Sequence, residues 1–306
     1  MAADFDVVVI GGPTASGKTS LGISLARALN GEIISADARQ IYRYMDIGTA
    51  KPTPEERAQA VHHLIDIVDP EAVYSAAQFS EDAHQAMSNI VDEGKIPILV
   101  GGAGLYLRAL FDGFSPMPDI PDEIRSRLRV ESTQILSDLY ARLEQVDPKW
   151  ASKIQPTDRQ RVVRGLEVHE ATGKTLTHFQ NLPREPIGGK WRTRWFGLDW
   201  PREVLYDRIN ARAEQMVHDG LVDEVKGLLQ KGYTPELNAL RTFGYREFID
   251  HFEGRLSLDE AIESLQKGTR HYAKRQLTWF RGEDRMTWIQ AGNQDPTPAI
   301  LAELEA

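Results

Sequence analysis

Gly12-Pro13-Thr14-Ala15-Ser16-Gly17-Lys18-Thr19 is the stretch that decides the fold. A glycine, four free positions and then Gly-Lys-Thr form the loop that nucleotide-binding and ATP-binding proteins wrap around phosphate. Backbone N–H groups surround the anion, the Lys ammonium neutralises an outer phosphate, and the Thr hydroxyl can hold Mg²⁺. That mechanism demands a strand before the loop and a helix after it. Phe5-Asp6-Val7-Val8-Val9-Ile10 reads as the buried strand. Lys18 to Leu29 reads as the helix, with Leu21, Leu25 and Leu29 on one face, and Asn30-Gly31 ends it.

Outward from the loop the alternation continues. Glu32 to Asp37 reads as a second strand, Ala76 to Val91 as a helix stopped by Gly94, and Ile96 to Val100 as a third strand meeting Gly101-Gly102. Strands alternating with helices imply an α/β fold, a P-loop NTPase-like parallel sheet flanked by helices. The texture changes after Gly113. Ser115-Pro116-Met117-Pro118-Asp119-Ile120-Pro121 is a proline-rich boundary, and residues 123–178 are helical in pattern. Trp191 to Leu198 returns to alternation and suits a late strand, while Glu203 to Leu229 and Leu258 to Phe280 read as long helical stretches. The expected organisation is a P-loop core at 1–113 and 191–306, including C-terminal helices, with an inserted helical domain at 114–190.

Composition bounds the function. The chain has 306 residues, 41% of them hydrophobic and 26% charged, enough for a substantial core. With no cysteine there is no disulfide framework, zinc finger or thiol chemistry. No apolar run reaches the ~18 residues of a membrane span, and Met1-Ala2-Ala3-Asp4 lacks the basic start of a signal peptide. A soluble, cytoplasmic monomer without membrane contact is expected. The net charge is -9, so any RNA binding must use a local basic surface on an acidic body.

A P-loop does not name a reaction, and most such chains are kinases or NTPases. Those usually carry an acid at the end of a later strand, where the strand Ile96 to Val100 ends in Gly-Gly. Asp37 ends the second strand, and in open parallel sheets ligands bind beyond the carboxyl ends of strands. A carboxylate there can hold Mg²⁺ or take a proton from a nucleophile; an Asx turn or helix cap is the structural alternative.

Gly12 to Thr19, Ser35-Ala36-Asp37-Ala38-Arg39-Gln40-Ile41-Tyr42 and Met45-Asp46-Ile47-Gly48-Thr49-Ala50-Lys51-Pro52 resemble the opening of bacterial tRNA dimethylallyltransferases. The similarity runs on, in order, through His63-Leu64-Ile65-Asp66, Ser75 to Phe79, Gly101 to Tyr106, Asp158 to Arg161, Gly244-Tyr245-Arg246 and Lys274 to Trp279. The resemblance implies transfer of a dimethylallyl group from dimethylallyl diphosphate to N6 of adenosine 37 in tRNAs that read codons starting with U. It implies that Gly12, Pro13, Thr14, Ala15, Ser16, Gly17, Lys18 and Thr19 hold the diphosphate rather than ATP, with Mg²⁺ on Thr19. Asp37 becomes the base, with Lys18 and Thr19 as catalytic partners. Arg208 and Arg212, four apart on one helix face, are expected near the diphosphate, a solvated face being the alternative. The tRNA-facing positions implied are Asp37, Ala38, Arg39, Gln40, Ala103, Arg125, Gln160, Arg161, Val162, Val163, Arg164, Arg241, Thr242, Phe243, Gly244, Tyr245, Arg246, Lys274 and Arg275, with Gln40 as the reader of the adenine edge. Ala38 and Ala103 depart from the family, which usually carries Ser and Thr there.

From Ser264 to Gly282 the charged residues are Lys267, Arg270, Lys274, Arg275 and Arg281, with no Asp or Glu. His271, Tyr272, Trp279 and Phe280 interleave them. Cations with aromatics suit contact with the anticodon stem-loop; an amphipathic helix with core aromatics is the plainer reading. His62 and His63 lack metal-ligand spacing and read as structural.

Overall fold

Every residue of β1 (Val7–Gly11) is buried, as a strand covered on both faces requires. The computed structural model describes residues 4–186, 191–292 and 294–305. β2 (Gly31–Ala36), β3 (His62–His63), β4 (Ile96–Gly101), β5 (Thr193–Asp199) and β6 (Met286–Gln290) join β1 in one sheet, ordered β3-β2-β4-β1-β5-β6. Each pairing is parallel, so crossovers must cover the faces. The side-chain period of two sorts the strands between two cores. Val7, Val9, Ile34, Leu99 and Trp195 pack with Phe79, Ala83 and Met87 of the helix Ala76–Asp92 and with Leu107 and Leu110. Val8, Ile10, Ile33, Ile98 and Phe196 pack with Leu21 and Leu25 of the helix Lys18–Ala28 and with Ile300. A third core joins the helices Leu221–Gln230, Tyr245–Phe252 and Leu258–Arg281.

The chain divides into two compact units, Met1–Phe111 with Ile187–Ala306, and Asp112–Pro186. The second unit is helical. Its helices Asp122–Gln134, Leu136–Val146 and Arg159–Thr172 pack Leu128, Leu139, Leu143, Val162 and Leu166 together. The buried Asp147 accepts hydrogen bonds from Thr177 N at 2.9 Å and Thr177 Oγ1 at 2.6 Å, which fastens the following short helix Leu176–Gln180 to that core. The insertion end expected at 190, like Met1 to Ala3, lies outside the described residues.

One expectation needs correction. The stretch Glu203 to Leu229 is not one helix: Arg202–His218 ends, and Leu221–Gln230 begins after Gly220 at φ 106, a left-handed conformation that redirects the chain. The stretch Leu258 to Phe280 is helical as expected, and its aromatics divide as the amphipathic alternative anticipates for some of them. Phe280 is fully buried, whereas His271 is exposed. Among the described residues, no helix is long and apolar enough to cross a membrane.

Candidate active site

The loop after β1 turns its amides inward because its carbonyls are held elsewhere. Ser16 Oγ and Lys18 Nζ both donate to Pro13 O. Arg208 Nε donates to Ala15 O at 2.9 Å, and Trp200 Nε1 donates to Ser16 O at 2.9 Å. The Arg208 guanidinium also lies 4.5 Å from the Trp200 ring centroid. Ala15 sits at φ 62, uncommon for a residue with a side chain, and this alternation of handedness makes an anion-binding nest. The amides of Ala15, Ser16 and Gly17 have no acceptor among the described residues.

An open cavity of about 620 Å³ lies against this loop, lined by Lys18, Thr19, Asp37, Arg39, Gln40, Arg208 and Arg212 among others. Burial, then the neighbouring Arg212 guanidinium, push the Lys18 ammonium down to about 7, partly opposed by Asp37. Burial likewise depresses Arg212, which donates to Thr14 Oγ1 at 3.2 Å. Two crowded cations beside inward amides constitute a site for a multiply charged anion.

The carboxylates on the cavity wall are Asp37 and Glu56. Glu56 is committed to a capping box, accepting from Thr53 N at 2.9 Å. Asp37, one residue beyond β2, accepts at Oδ1 from Arg39 N at 2.8 Å and Gln40 N at 3.3 Å; Oδ2 has no described partner. The Asx turn and the free oxygen therefore coexist in one side chain. Tyr272 closes the same wall, its phenol pushed up to about 12 by burial and then by Asp37.

Gln40 is hydrogen-bonded within the protein. Its Oε1 accepts from Ser35 Oγ at 3.0 Å, and its Nε2 donates to Ala50 O at 3.0 Å. This amide fastens the Met45–Pro52 loop while Gln40 lines the cavity. Lys51 is buried in that loop, donating to Tyr42 O and pairing with Asp46 at 2.7 Å and with Asp66, which also pairs with Arg57. The motif lysine is thus structural. His63 Nε2 lies 2.6 Å from Glu32 Oε2, His62 Nδ1 lies 2.8 Å from Ala60 O, and the described residues contain no metal-holding cluster of His, Cys, Asp or Glu.

The positions expected to face tRNA scatter. Thr242 and Phe243 line the cavity, while Arg241 and Arg246 are exposed beside it in sequence, with Arg246 paired to Glu247 at 2.6 Å. Tyr245 is fully buried, its hydroxyl donating to Glu224 Oε1 at 2.5 Å, and Gly244 is buried as well. Neither presents a surface to a ligand. Ala38 and Ala103 pack partly into the apolar core beside the sheet. Lys274 and Arg275 are exposed on the helix Leu258–Arg281 and form no ion pair with a described residue. In the helical unit, Arg125, Gln160 and Arg161 are exposed and Arg164 pairs with Glu167 at 3.4 Å. Val162 is corrected: it is fully buried in that unit's core, with Val163 packed partly against it.

Three supporting residues escaped the sequence reading. Trp200 holds the loop carbonyl described above. Gln276 meets Thr14 N and Gly102 O at 2.9 and 3.0 Å. Glu224 accepts from the amides of Asp46, Ile47 and Gly48 at 2.9, 2.8 and 3.1 Å. A polar residue on the apolar helix face Ala273, Gln276, Phe280 was the available signal for Gln276.

A family model described as IPP transferase matches residues 40–283. The chain is 47% identical over 288 residues to tRNA dimethylallyltransferase 1 of Syntrophotalea carbinolica, covering 93% of this chain and 91% of that one. It is 46% identical to the tRNA dimethylallyltransferase of Syntrophobacter fumaroxidans, covering 95% and 85%. Among solved structures, it matches the tRNA isopentenylpyrophosphate transferase of Bacillus halodurans at TM-score 0.72 and 38% identity, over 98% of this chain and 97% of that one. A eukaryotic dimethylallyltransferase acting on tRNA matches at TM-score 0.79 and 31% identity, over 97% and 77%.

Proposed function

We propose a function that starts from membership: the chain belongs to the IPP transferase family. It transfers a dimethylallyl group from dimethylallyl diphosphate to N6 of adenosine 37 in tRNAs that read codons starting with U. The bond from the prenyl carbon to the diphosphate oxygen breaks, the carbon–N6 bond forms, and the N6 proton goes to Asp37. N6 is a poor nucleophile because its lone pair is delocalised into the ring, so a base taking its proton helps by about 10²–10⁴-fold. Lys18, Arg212 and the amides of Ala15 to Lys18 stabilise the charge that develops on the leaving diphosphate.

The donor set fits Mg²⁺. The Thr19 hydroxyl lines the cavity and has no described partner, and Mg²⁺ ordinarily uses one or two protein oxygens with substrate phosphates and waters. Bound there, the ion supplies further neutralisation of the diphosphate.

The observation that carries this reading is one cavity holding both the anion nest and a carboxylate with a free oxygen. The other wall carboxylate, Glu56, stands in a helix capping box and not at a strand end, the usual place of the second acid of an ATP-hydrolysing site. Adenosine 37 lies in a single-stranded loop, so extruding it costs only a few kcal/mol. The inserted helical domain, through Arg125, Gln160, Arg161 and Arg164, and the exposed Arg241 and Arg246 contact the tRNA, and the chain acts as a monomer. Incubation with dimethylallyl diphosphate and unmodified tRNA, then nucleoside mass analysis, tests the reaction. A gain of one prenyl group on adenosine without ATP is expected; turnover that requires ATP would overturn it.

A further inference from the structure

Thr14 is where the backbone leaves β1 and enters the nest. Its N–H is not one of the inward amides, and buried N–H groups need an acceptor. Gln276 Oε1 supplies it at 2.9 Å from a helix 262 residues away in sequence. The Nε2 of the same amide donates to Gly102 O at 3.0 Å, in the turn that follows β4. One planar group thus accepts from the loop on β1 and donates to the turn on β4. The side chain is only 6% exposed, so water does not substitute for either bond.

The chemistry of the position is restrictive. Glutamate would set an acceptor against the Gly102 carbonyl, and asparagine is one methylene short. A methionine of similar length leaves both buried groups unpaired. Gly102 is fitted to the arrangement from the other side, because a Cβ there would lie 2.0 Å from Gln276 Nε2. Thr14 is also held at its hydroxyl by Arg212. Lys274 and Arg275, the exposed cations, directly precede Gln276 on the same helix.

We propose that Gln276 is a positioning residue for the diphosphate: it fixes Thr14 so that the following amides converge on the anion, and it ties that loop to the helix carrying Lys274 and Arg275. This rests on the diphosphate reading above. Gln276 lines the cavity but acts through Thr14 rather than by contact with the reacting atoms. Its loss loosens a loop that saturating substrate can re-form, so the effect falls on KM more than on kcat.

The test uses the full chain, with inorganic diphosphate and dimethylallyl diphosphate as probes and Gln276→Met and Gly102→Ala as variants. Leaving buried groups unpaired corresponds to about a ten-fold loss. Both variants should raise the Kd for diphosphate and the KM for dimethylallyl diphosphate by about that factor. With saturating dimethylallyl diphosphate, kcat should fall less than about three-fold, and the Kd for tRNA should stay within about two-fold. Amide exchange at Thr14 should quicken in both. Should Gln276→Met not fold, Gly102→Ala reads the same bridge from the other end. If wild-type chain binds diphosphate and a folded variant keeps that affinity within two-fold, this inference alone falls. Equal losses for tRNA and diphosphate would also overturn it, pointing to general disruption. Failure of the wild-type chain to bind diphosphate would remove the diphosphate reading, and this inference with it.

Discussion

Asp37 divides its carboxylate between two tasks, one oxygen capping the turn and the other left to the cavity. Asparagine keeps the capping oxygen and cannot take a proton. Asp37→Asn and Asp37→Ala should therefore both lower turnover by at least about 10²-fold. Only the alanine variant should also lose stability in denaturant titrations. A near-normal single-turnover rate in Asp37→Asn would remove Asp37 as the base. Lys18 makes a prediction in pH. In the free chain its ammonium sits at about 7, and a bound diphosphate raises it again. Only the protonated form attracts the anion, so binding above pH ~7 takes up a proton, and affinity falls as pH rises through that range. Calorimetry at pH ~8 in two buffers of different ionisation enthalpy reads the uptake. Lys18→Met should lack it; equal uptake in that variant would dismiss the assignment.

At the scale of elements, the Met45–Pro52 loop shows what the sequence could and could not tell. Its motif was legible, but not its fastening, because Glu224 lies 178 residues from Asp46 and no local pattern links them. Glu224 receives three amides and the Tyr245 hydroxyl, so Glu224→Ala leaves four donors short of an acceptor. The loss should be about 1–3 kcal/mol in urea unfolding, and smaller for Glu224→Gln, which keeps one acceptor oxygen. A change under ~0.5 kcal/mol in the alanine variant would show the loop held by Lys51 and Gln40 instead. The same logic sorts the rest. β1, β2 and β4 were readable because their runs are apolar and buried, and the P-loop because its chemistry is local. β3 has two residues, and β6 sits at the sheet edge with none of its five residues buried, so neither carries a strong signal. The anchoring bonds of Gln40 were not legible, because its motif fixes its presence but not where its amide points.

At the scale of the whole molecule, the question is how a chain of net charge -9 attracts RNA. The answer lies in which cations are already neutralised. Within the acid-free stretch of the helix Leu258–Arg281, Arg281 pairs with Asp199 at 3.6 Å, while Arg270 keeps its charge and is tied down by donating to the neutral Asn210 Oδ1 at 2.5 Å. Lys267, Lys274 and Arg275 are exposed without a carboxylate partner among the described residues, and of these Lys274 and Arg275 follow closest on Tyr272, Arg275 lying 5.7 Å from its ring centroid. Tyr272 lines the cavity, so these cations stand beside the place where the acceptor base must enter. A free nucleotide needs none of this; a tRNA loop brings phosphates on both sides of the base. Each phosphate contact on a single strand adds about 0.7 to the slope of log affinity against log salt. Replacing Lys274 and Arg275 with Ala should lower that slope by up to about 1.4, two contacts at about 0.7 each. It should raise the KM for tRNA and leave the affinity for dimethylallyl diphosphate nearly intact. Filter binding across a salt series with the isolated anticodon stem-loop gives the slope. An unchanged slope would move the RNA contact off this helix, and AMP serving as well as the stem-loop would make the acceptor a free nucleotide.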